Sequence, residues 1–338
     1  MNNMEISREE EIADVRKVRP HVVILGAGGS VAALPDGDKN GKYLPTMDNF
    51  IKVLDLENLV SSISIKSNNF EKIYSEICLD PKLSDLRKSI EQNIYNYFSS
   101  LELPEEPNLY DYLLLSLRKK DMIFTFNWDP FLIQAYQRNS KFTKELPTLS
   151  FLHGNVMVGS CIKHTQRGAI HNRCSVCGDF FSPSPLLFPI TNKDYNSDPF
   201  IKNEWEMFDW ALNNTLFVTI FGYGAPETDI NAIETMKKSW SKPGDRAMEE
   251  FEIIDVKDED TLYKLWEPFI HTHHYRVKNI FYDSWIANHP RRSIEAYFNQ
   301  FWDGKFIDNN PFPKDCTFKE IWSWFRNLID AESIHHVD

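Results

Sequence analysis

Apolar residues fall into two patterns along this chain. Short continuous runs bounded by glycine, proline or asparagine read as strands buried on both faces. They are Val22 to Leu25, Met122 to Phe126, Thr148 to Leu152, Thr215 to Phe221 and Phe251 to Val256. Between them, apolar positions recur every three or four residues, the period of a helix lying on a core. From about Thr46 to Arg118 that spacing takes in Phe50, Val53, Leu54, Ile73, Tyr74, Ile77, Ile90, Ile94 and Phe98, and it predicts a helical insertion over 46–118. Leu34 to Gly41 is dense in turn formers and reads as a loop over the end of the first strand. Asn203 to Leu212 predicts an aromatic helix, and the chain beyond Trp266 reads mostly as aromatic helices carrying Trp285, Phe301, Trp302, Trp322 and Phe325. Residues 1–19 read as a charged helical lead-in, with Glu9, Glu10 and Glu11 as a solvated face.

The chemistry sits where strands end. Val22 to Leu25 run into Gly26-Ala27-Gly28-Gly29-Ser30, a turn whose backbone can press close to a phosphate as the next helix opens. The second strand ends in Asn127-Trp128-Asp129-Pro130, the third in His153-Gly154-Asn155, and the fourth in Gly222-Tyr223-Gly224. In an open α/β sheet the ligand lies beyond the carboxyl ends of the strands, so these groups would face one crevice. Asn127 and Asp129 also suit a helix start, since Asn or Asp before proline is a common N-cap. His153 stands where a general base reaches bound ligand, with an ordinary pKa suited to neutral pH. Asp255, after the fifth run, could hold a ribose hydroxyl or be plain surface charge.

Cysteine spacing adds a metal. Cys161-x-x-His164 and Cys174-x-x-Cys177-Gly178 are separated by nine residues and read as a four-ligand structural zinc site, with His171 as a possible replacement for His164. His271, His273 and His274 lack cysteine or carboxylate partners at metal spacing and read as surface histidines. The remaining cysteines, Cys78 and Cys316, are isolated, which fits a reducing compartment and a cytoplasmic location. With Lys+Arg 37 against Asp+Glu 49, the net charge of -12 argues against direct nucleic-acid binding as the main task. No apolar run approaches the roughly 20 residues of a membrane span.

In this order the motifs resemble the sirtuin family, whose pattern is a Gly-Ala-Gly-x-Ser turn, a Thr-Gln-Asn-Ile-Asp strand end, Leu-His-Gly, a zinc ribbon and a glycine-ended late strand. The matching residues here are Gly26 to Ser30, Thr125 to Asp129, Leu152-His153-Gly154, the Cys161 to Cys177 cluster and Phe221 to Gly224. The resemblance implies an α/β fold with a doubly wound parallel, Rossmann-like sheet over 20–256. It also implies a small zinc-ribbon module over 155–182 and the helical insertion, leaving 257–338 for packing or assembly. It implies NAD+ between the modules: Gly26, Ala27, Gly28 and Ser30 at the pyrophosphate, Gly222, Tyr223 and Asp255 toward adenosine, Asn127 and Asp129 at the nicotinamide ribose, and His153 as base.

Departures from the family pattern narrow the activity. Pro35-Asp36-Gly37-Asp38 lacks the aromatic and the arginine of the deacylase Pro-Asp-Phe-Arg loop, and Trp128 replaces a small aliphatic residue. Phe188-Pro189-Ile190 stands nearest to the Phe-Gly-Glu segment of the acyl-lysine tunnel. These features are more similar to bacterial sirtuin-like effectors of antiphage defence, which hydrolyse NAD+. The expectation is therefore an NAD+ glycohydrolase, held off by homo-oligomerisation or by a HerA-type ring ATPase partner. A protein-lysine deacylase is the alternative enzyme, and a non-catalytic NAD+ or ADP-ribose sensor is the alternative of another class.

Overall fold

The computed structural model describes residues 4–61, 63, 67–190, 193–226, 229–240, 246, 248–270 and 274–334. Six strands form one parallel sheet: β1 (His21–Leu25), β2 (Met122–Thr125), β3 (Thr148–Phe151), β4 (Phe217–Phe221), β5 (Glu250–Ile254) and β6 (Tyr275–Lys278). Their spatial order is β3-β2-β1-β4-β5-β6, so chain direction across the sheet reverses between β1 and β4. The first five strands follow the continuous apolar runs, and β1, β2, β4 and β5 are buried throughout because helices cover both faces. Register then aligns the strand ends. Leu25 lies opposite both Thr125 and Phe221, Thr125 opposite Phe151, and Phe221 opposite Ile254.

Helix α1 (Ala27–Ala33) leaves β1 directly, and the insertion before β2 carries α2 (Phe70–Leu79), α3 (Ser84–Ser99) and α4 (Leu109–Leu115). Asn108 starts α4 by accepting from the Tyr110 N–H at 2.9 Å, while Asp111 accepts the Asn108 N–H at 2.8 Å. Helix α5 (Phe131–Asn139) follows β2, and α6 (Pro199–Asn214) precedes β4. The latter begins four residues earlier than the aromatic pattern predicts, because Asp198 caps the Phe200 and Ile201 N–H groups and Pro199 suits the first helical position. The 158–160, 167–169 and 182–183 strands make a separate three-stranded sheet between β3 and α6.

Two expectations are corrected. The sheet runs past residue 256: β6 pairs in parallel with β5 inside a segment read as helical, because Tyr-Arg-Val-Lys is short, half-buried and lacks an apolar run. Nor is Glu11 part of a solvated face. It is buried, and its Oε1 meets His289 Nδ1 at 2.7 Å. His271 and His273 lie outside the described residues, and His274 is half-buried with Nδ1 3.3 Å from the Tyr297 hydroxyl. The C-terminal helix α7 (Phe318–Ile334) is clasped to the body through Glu332, which takes Arg291 at 2.7 and 2.6 Å and Arg292 at 2.8 Å. Both arginines are buried and also bond backbone carbonyls of residues 115, 117, 12 and 328. No described helix is long and apolar enough to cross a membrane.

Glu252 lies inside β5, fully buried, accepting the Trp285 N–H at 2.8 Å and the Thr219 hydroxyl at 3.2 Å. Burial pushes its carboxyl up to about 7 from 4.5. A raised folded-state pKa means that this stabilisation is complete below about 4.5 and is lost as pH rises through about 7. Glu252→Gln keeps an acceptor and cannot ionise, so it should gain on the wild type as pH rises from 5 to 8, by on the order of 2 kcal/mol. Denaturant unfolding of both proteins across that range checks it, and parallel stability curves would refute it.

Candidate active site

The aligned strand ends deliver Gly26, Phe126-Asn127, Leu152-His153 and Gly222 to one edge of the sheet. At the centre, the loops after β1 and β4 interlock. Gly26 N–H donates to Phe221 O and Gly28 N–H to Gly222 O, both at 2.9 Å. A Cβ on Gly26 would lie 2.5 Å from Gly222 O, and one on Gly222, whose φ is +60°, would lie 2.2 Å from Gly29 N. The glycines therefore serve backbone against backbone, and of Gly26, Ala27 and Gly28 it is Ala27 that lines the cavity above them. That cavity measures about 300 Å³ and receives Ser30, Asn127, Asp129, His153, Gly222 and Tyr223 together. Asp255 stays outside it, with Oδ1 accepting the Lys257 N–H at 3.0 Å.

Ser30 is the knot beneath the cavity. Its hydroxyl donates to Asp129 Oδ2 at 2.7 Å and accepts from Asn127 Nδ2 at 2.9 Å. The Tyr110 hydroxyl from α4 closes on the same oxygen. One proton and two lone pairs are thus all used, so Ser30 orients its neighbours and has nothing left for a ligand. Asn127 Nδ2 also donates to Gly26 O at 2.9 Å, which leaves Oδ1 as the Asn127 atom available to a ligand. Asp129 keeps its helix-start role as well, accepting the Phe131 N–H at 3.2 Å. Burial pushes its carboxyl up to about 6, against the opposing bond from Ser30. Asn155 fixes this loop from behind, its Nδ2 reaching Asp129 O at 2.6 Å and Asn127 O at 3.3 Å.

His153 is buried, edge-on to Phe126 at 4.8 Å and stacked near Tyr195 at 6.0 Å. Its Nε2 has no hydrogen-bond partner among the described residues, and Trp128 Nε1 at the same cavity is likewise unsatisfied. Buried polar atoms are rarely left so, and the two mark where polar atoms of a ligand would fit. Burial lowers the imidazole to about 4, so the ring is neutral at pH 7 and able to accept a proton. Beside it lies a pair that motif reading missed. Asp229 Oδ1 stands 3.9 Å from His153 Nε2, is ion-paired with Lys193, and its Oδ2 takes the Tyr223 hydroxyl at 3.0 Å. Lys193 lies in an irregular segment and Asp229 directly before the 230–240 helix, and their only sequence signal was a carboxylate at the helix opening after the Gly222 turn.

The insertion closes the other side. Leu44, Pro45, Met47, Phe50 and Phe98 form an apolar wall, and Trp128 packs edge-on to Phe98 at 5.8 Å. The 186–190 segment completes it. Phe188 stacks on Tyr74 of α2 at 5.1 Å, Ser75 Oγ donates to Pro189 O at 3.3 Å, and Leu187 N–H bonds His153 O at 3.0 Å. The loop at 34–42 is tied elsewhere, with the buried Asp38 accepting N–H groups of Asn40, Lys42 and Glu102.

In the small sheet, Cys161, His164, Cys174 and Cys177 bring their ligand atoms within 4.8 Å of one another. His164 Nδ1 is 3.4 Å from Cys161 Sγ and 3.5 Å from Cys174 Sγ, and the Cys161 and Cys177 sulfurs are 3.7 Å apart. A zinc with bonds of about 2.3 Å to sulfur and about 2.0–2.1 Å to nitrogen has tetrahedral edges of roughly 3.5–3.8 Å, which these separations match. The four residues fit a structural zinc with no open position. Exposed His171 is not among them, which decides for His164 as the fourth ligand.

No family model matches the chain, and no curated protein matches it. Among solved structures it is similar to Sir2 with a p53 peptide and NAD+, at 13% identity and a TM-score of 0.36 over 89% of this chain and 98% of that one. It is similar also to a Sir2 homologue variant complexed with ADP-ribose, at 12% identity and a TM-score of 0.37 over 97% and 98%. At those scores the likeness decides nothing about activity, which has to come from the cavity.

The metal centre makes its own prediction. His164→Ala and Cys174→Ser should each lower bound zinc well below one per chain and reduce the melting temperature, whereas His171→Ala should keep full zinc. Metal analysis of the purified variants checks this, and zinc loss in His171→Ala would overturn the ligand set.

Proposed function

We propose that the chain processes NAD+ in the manner of sirtuin-like enzymes, and that its reaction is hydrolysis of the nicotinamide glycosidic bond to give nicotinamide and ADP-ribose. What carries this reading is the convergence of Ala27, Asn127, Asp129, His153 and Tyr223 on one cavity at the β1/β4 reversal. That position is where a doubly wound sheet of this order takes a dinucleotide. Ala27 and the opening of α1 would meet the pyrophosphate. Gly222 and Tyr223 would border the adenosine half, and Trp128 Nε1 and Asn127 Oδ1 would hold the nicotinamide end.

Chemistry follows from the charges. Asp129 is mostly ionised at neutral pH and would stabilise the cationic ribosyl centre as the bond to nicotinamide lengthens. Neutral His153 would take a proton from water as the water oxygen bonds to the anomeric carbon. The electron pair of the breaking carbon–nitrogen bond leaves with nicotinamide. Phe188-Pro189-Ile190, the segment nearest to the acyl-lysine tunnel of the deacylases, is engaged with the insertion through Tyr74 and Ser75, which favours water as the nucleophile.

Such an activity depletes a cell of NAD+ and suits an antiphage effector held inactive until it assembles. The exposed Trp302 and Phe306 offer a surface for a second copy or a HerA-type ring ATPase. Incubation of the purified protein with NAD+ alone should release nicotinamide and ADP-ribose in equal amounts, read by chromatography. Asn127→Ala and His153→Ala should each lower kcat by about 10²-fold or more with zinc content unchanged. A requirement for acetylated peptide would establish the deacylase instead, and thermal protection by NAD+ without turnover in any assembly state would establish the sensor.

A further inference from the structure

The cavity contains a buried charge pair that the proposed reaction does not use, Lys193 with Asp229, and it stands against His153 Nε2, which has no hydrogen-bond partner among the described residues. We propose that Asp229, fixed by Lys193 and Tyr223, is the positioning residue of His153, receiving the positive charge that the ring gains when it accepts the proton of the attacking water. The inference rests on the hydrolase reading for its reaction and on geometry for its residues.

The side chains of His153, Asp229 and Lys193 are 7%, 5% and 3% exposed, so water screens none of them strongly. Asp229 is held at both oxygens, by Lys193 at Oδ1 and by the Tyr223 hydroxyl at Oδ2, so its place is set independently of His153. The 3.9 Å from Oδ1 to Nε2 is too long for a hydrogen bond and short enough for an ion pair. Nε2 is therefore not committed to the carboxylate at rest, and a proton arriving there meets it at once. Burial keeps the resting ring neutral; Asp229 favours the proton and Lys193 opposes it. The other titratable groups around the ring are Tyr195 beside Lys193, Tyr223 through Asp229, and Asp129 and Glu71 on the walls of the same cavity. In the step itself one proton passes from water to Nε2 and on to solvent. The water oxygen bonds to the anomeric carbon, and nicotinamide leaves with the pair of the broken bond.

The test is the titration of His153 in the full chain, followed by NMR of ring-labelled histidine, together with steady-state turnover at pH 7, since Asp129 already sets the acid limb of turnover. In Lys193→Met the His153 titration should move up by about one pH unit, because a cation beside the imidazole is gone. In Asp229→Asn, kcat should fall about tenfold or more with KM within about twofold, and Asp229→Glu should recover most of it. Wild-type kcat in Asp229→Asn overturns the assignment. Titration of ring-labelled histidine by NMR gives an answer that needs no turnover. If the wild type does not cleave NAD+, the reaction assigned above fails, whereas coincident His153 titrations in wild type and Lys193→Met overturn the positioning role.

Discussion

Everything at the active edge depends on two glycine turns being allowed to touch. β1 and β4 are neighbours in the sheet, and from their ends the chain departs in opposite directions, toward β2 and toward β5. The crevice between such diverging connections is where an open sheet takes its ligand. Here the floor of that crevice is made by Gly26 and Gly28 bonding the carbonyls of Phe221 and Gly222, at a separation that no Cβ could share. Asn127 is bound to Gly26 O, and Ser30 is bound to Asn127, so the polar ring under the cavity is hung from this interlock. Tyr223 follows directly from the other turn, stacking on Phe126 at 4.1 Å and bonding Asp229. A side chain at any of the three glycines would displace both halves of the site together.

Around that floor the polar groups divide into two sets. Ser30, Asn155, Tyr110 and Asn127 Nδ2 are satisfied inside the protein, and a saturated network of this kind rigidifies what it holds. His153 Nε2 and Trp128 Nε1 have no partner among the described residues, and both belong to the cavity. The contrast says which groups build the site and which remain for a ligand. It also separates the two carboxylates. Burial pushes the Asp129 carboxyl up, with a neutral hydroxyl as its partner, whereas Asp229 is held by a lysine and a phenol beside the imidazole.

The strands were legible because continuous apolar runs have few alternatives, and their ends were legible because glycine, asparagine and histidine punctuate those runs. Register was not legible, yet register is what gathers the four strand ends on one line. β6 was missed because four half-buried residues flanked by aromatic helices leave almost no period to read. The zinc ligands could be read up to a choice between two histidines, which only distances could make. Ser30 could be placed but not given its task, because that task is set by Tyr110, a residue contributed 80 positions later by the insertion. Lys193 and Asp229 carried no motif at all, since a buried ion pair between an irregular segment and a helix start leaves no spacing in the chain.

The zinc module, remote from the cavity in sequence pattern, is joined to it by a short chain of bonds. Arg167, on the module's sheet, ion-pairs with the buried Glu204 of α6, and the other oxygen of Glu204 accepts the Phe151 N–H at 2.7 Å. Phe151 is the last residue of β3, two before His153. A second link runs from Ser184, next to the module's last strand, whose hydroxyl accepts the Asn155 N–H and donates to Asn155 O, both at 3.0 Å. Trp205 of α6 adds a third, donating to Leu152 O at 3.0 Å. The His153 loop is therefore held on both sides of the histidine by groups whose own positions follow from the module and from the helix beside it. A metal held by four protein ligands would have no open position to offer a reaction, and through these bonds the module it would brace sets where His153 stands.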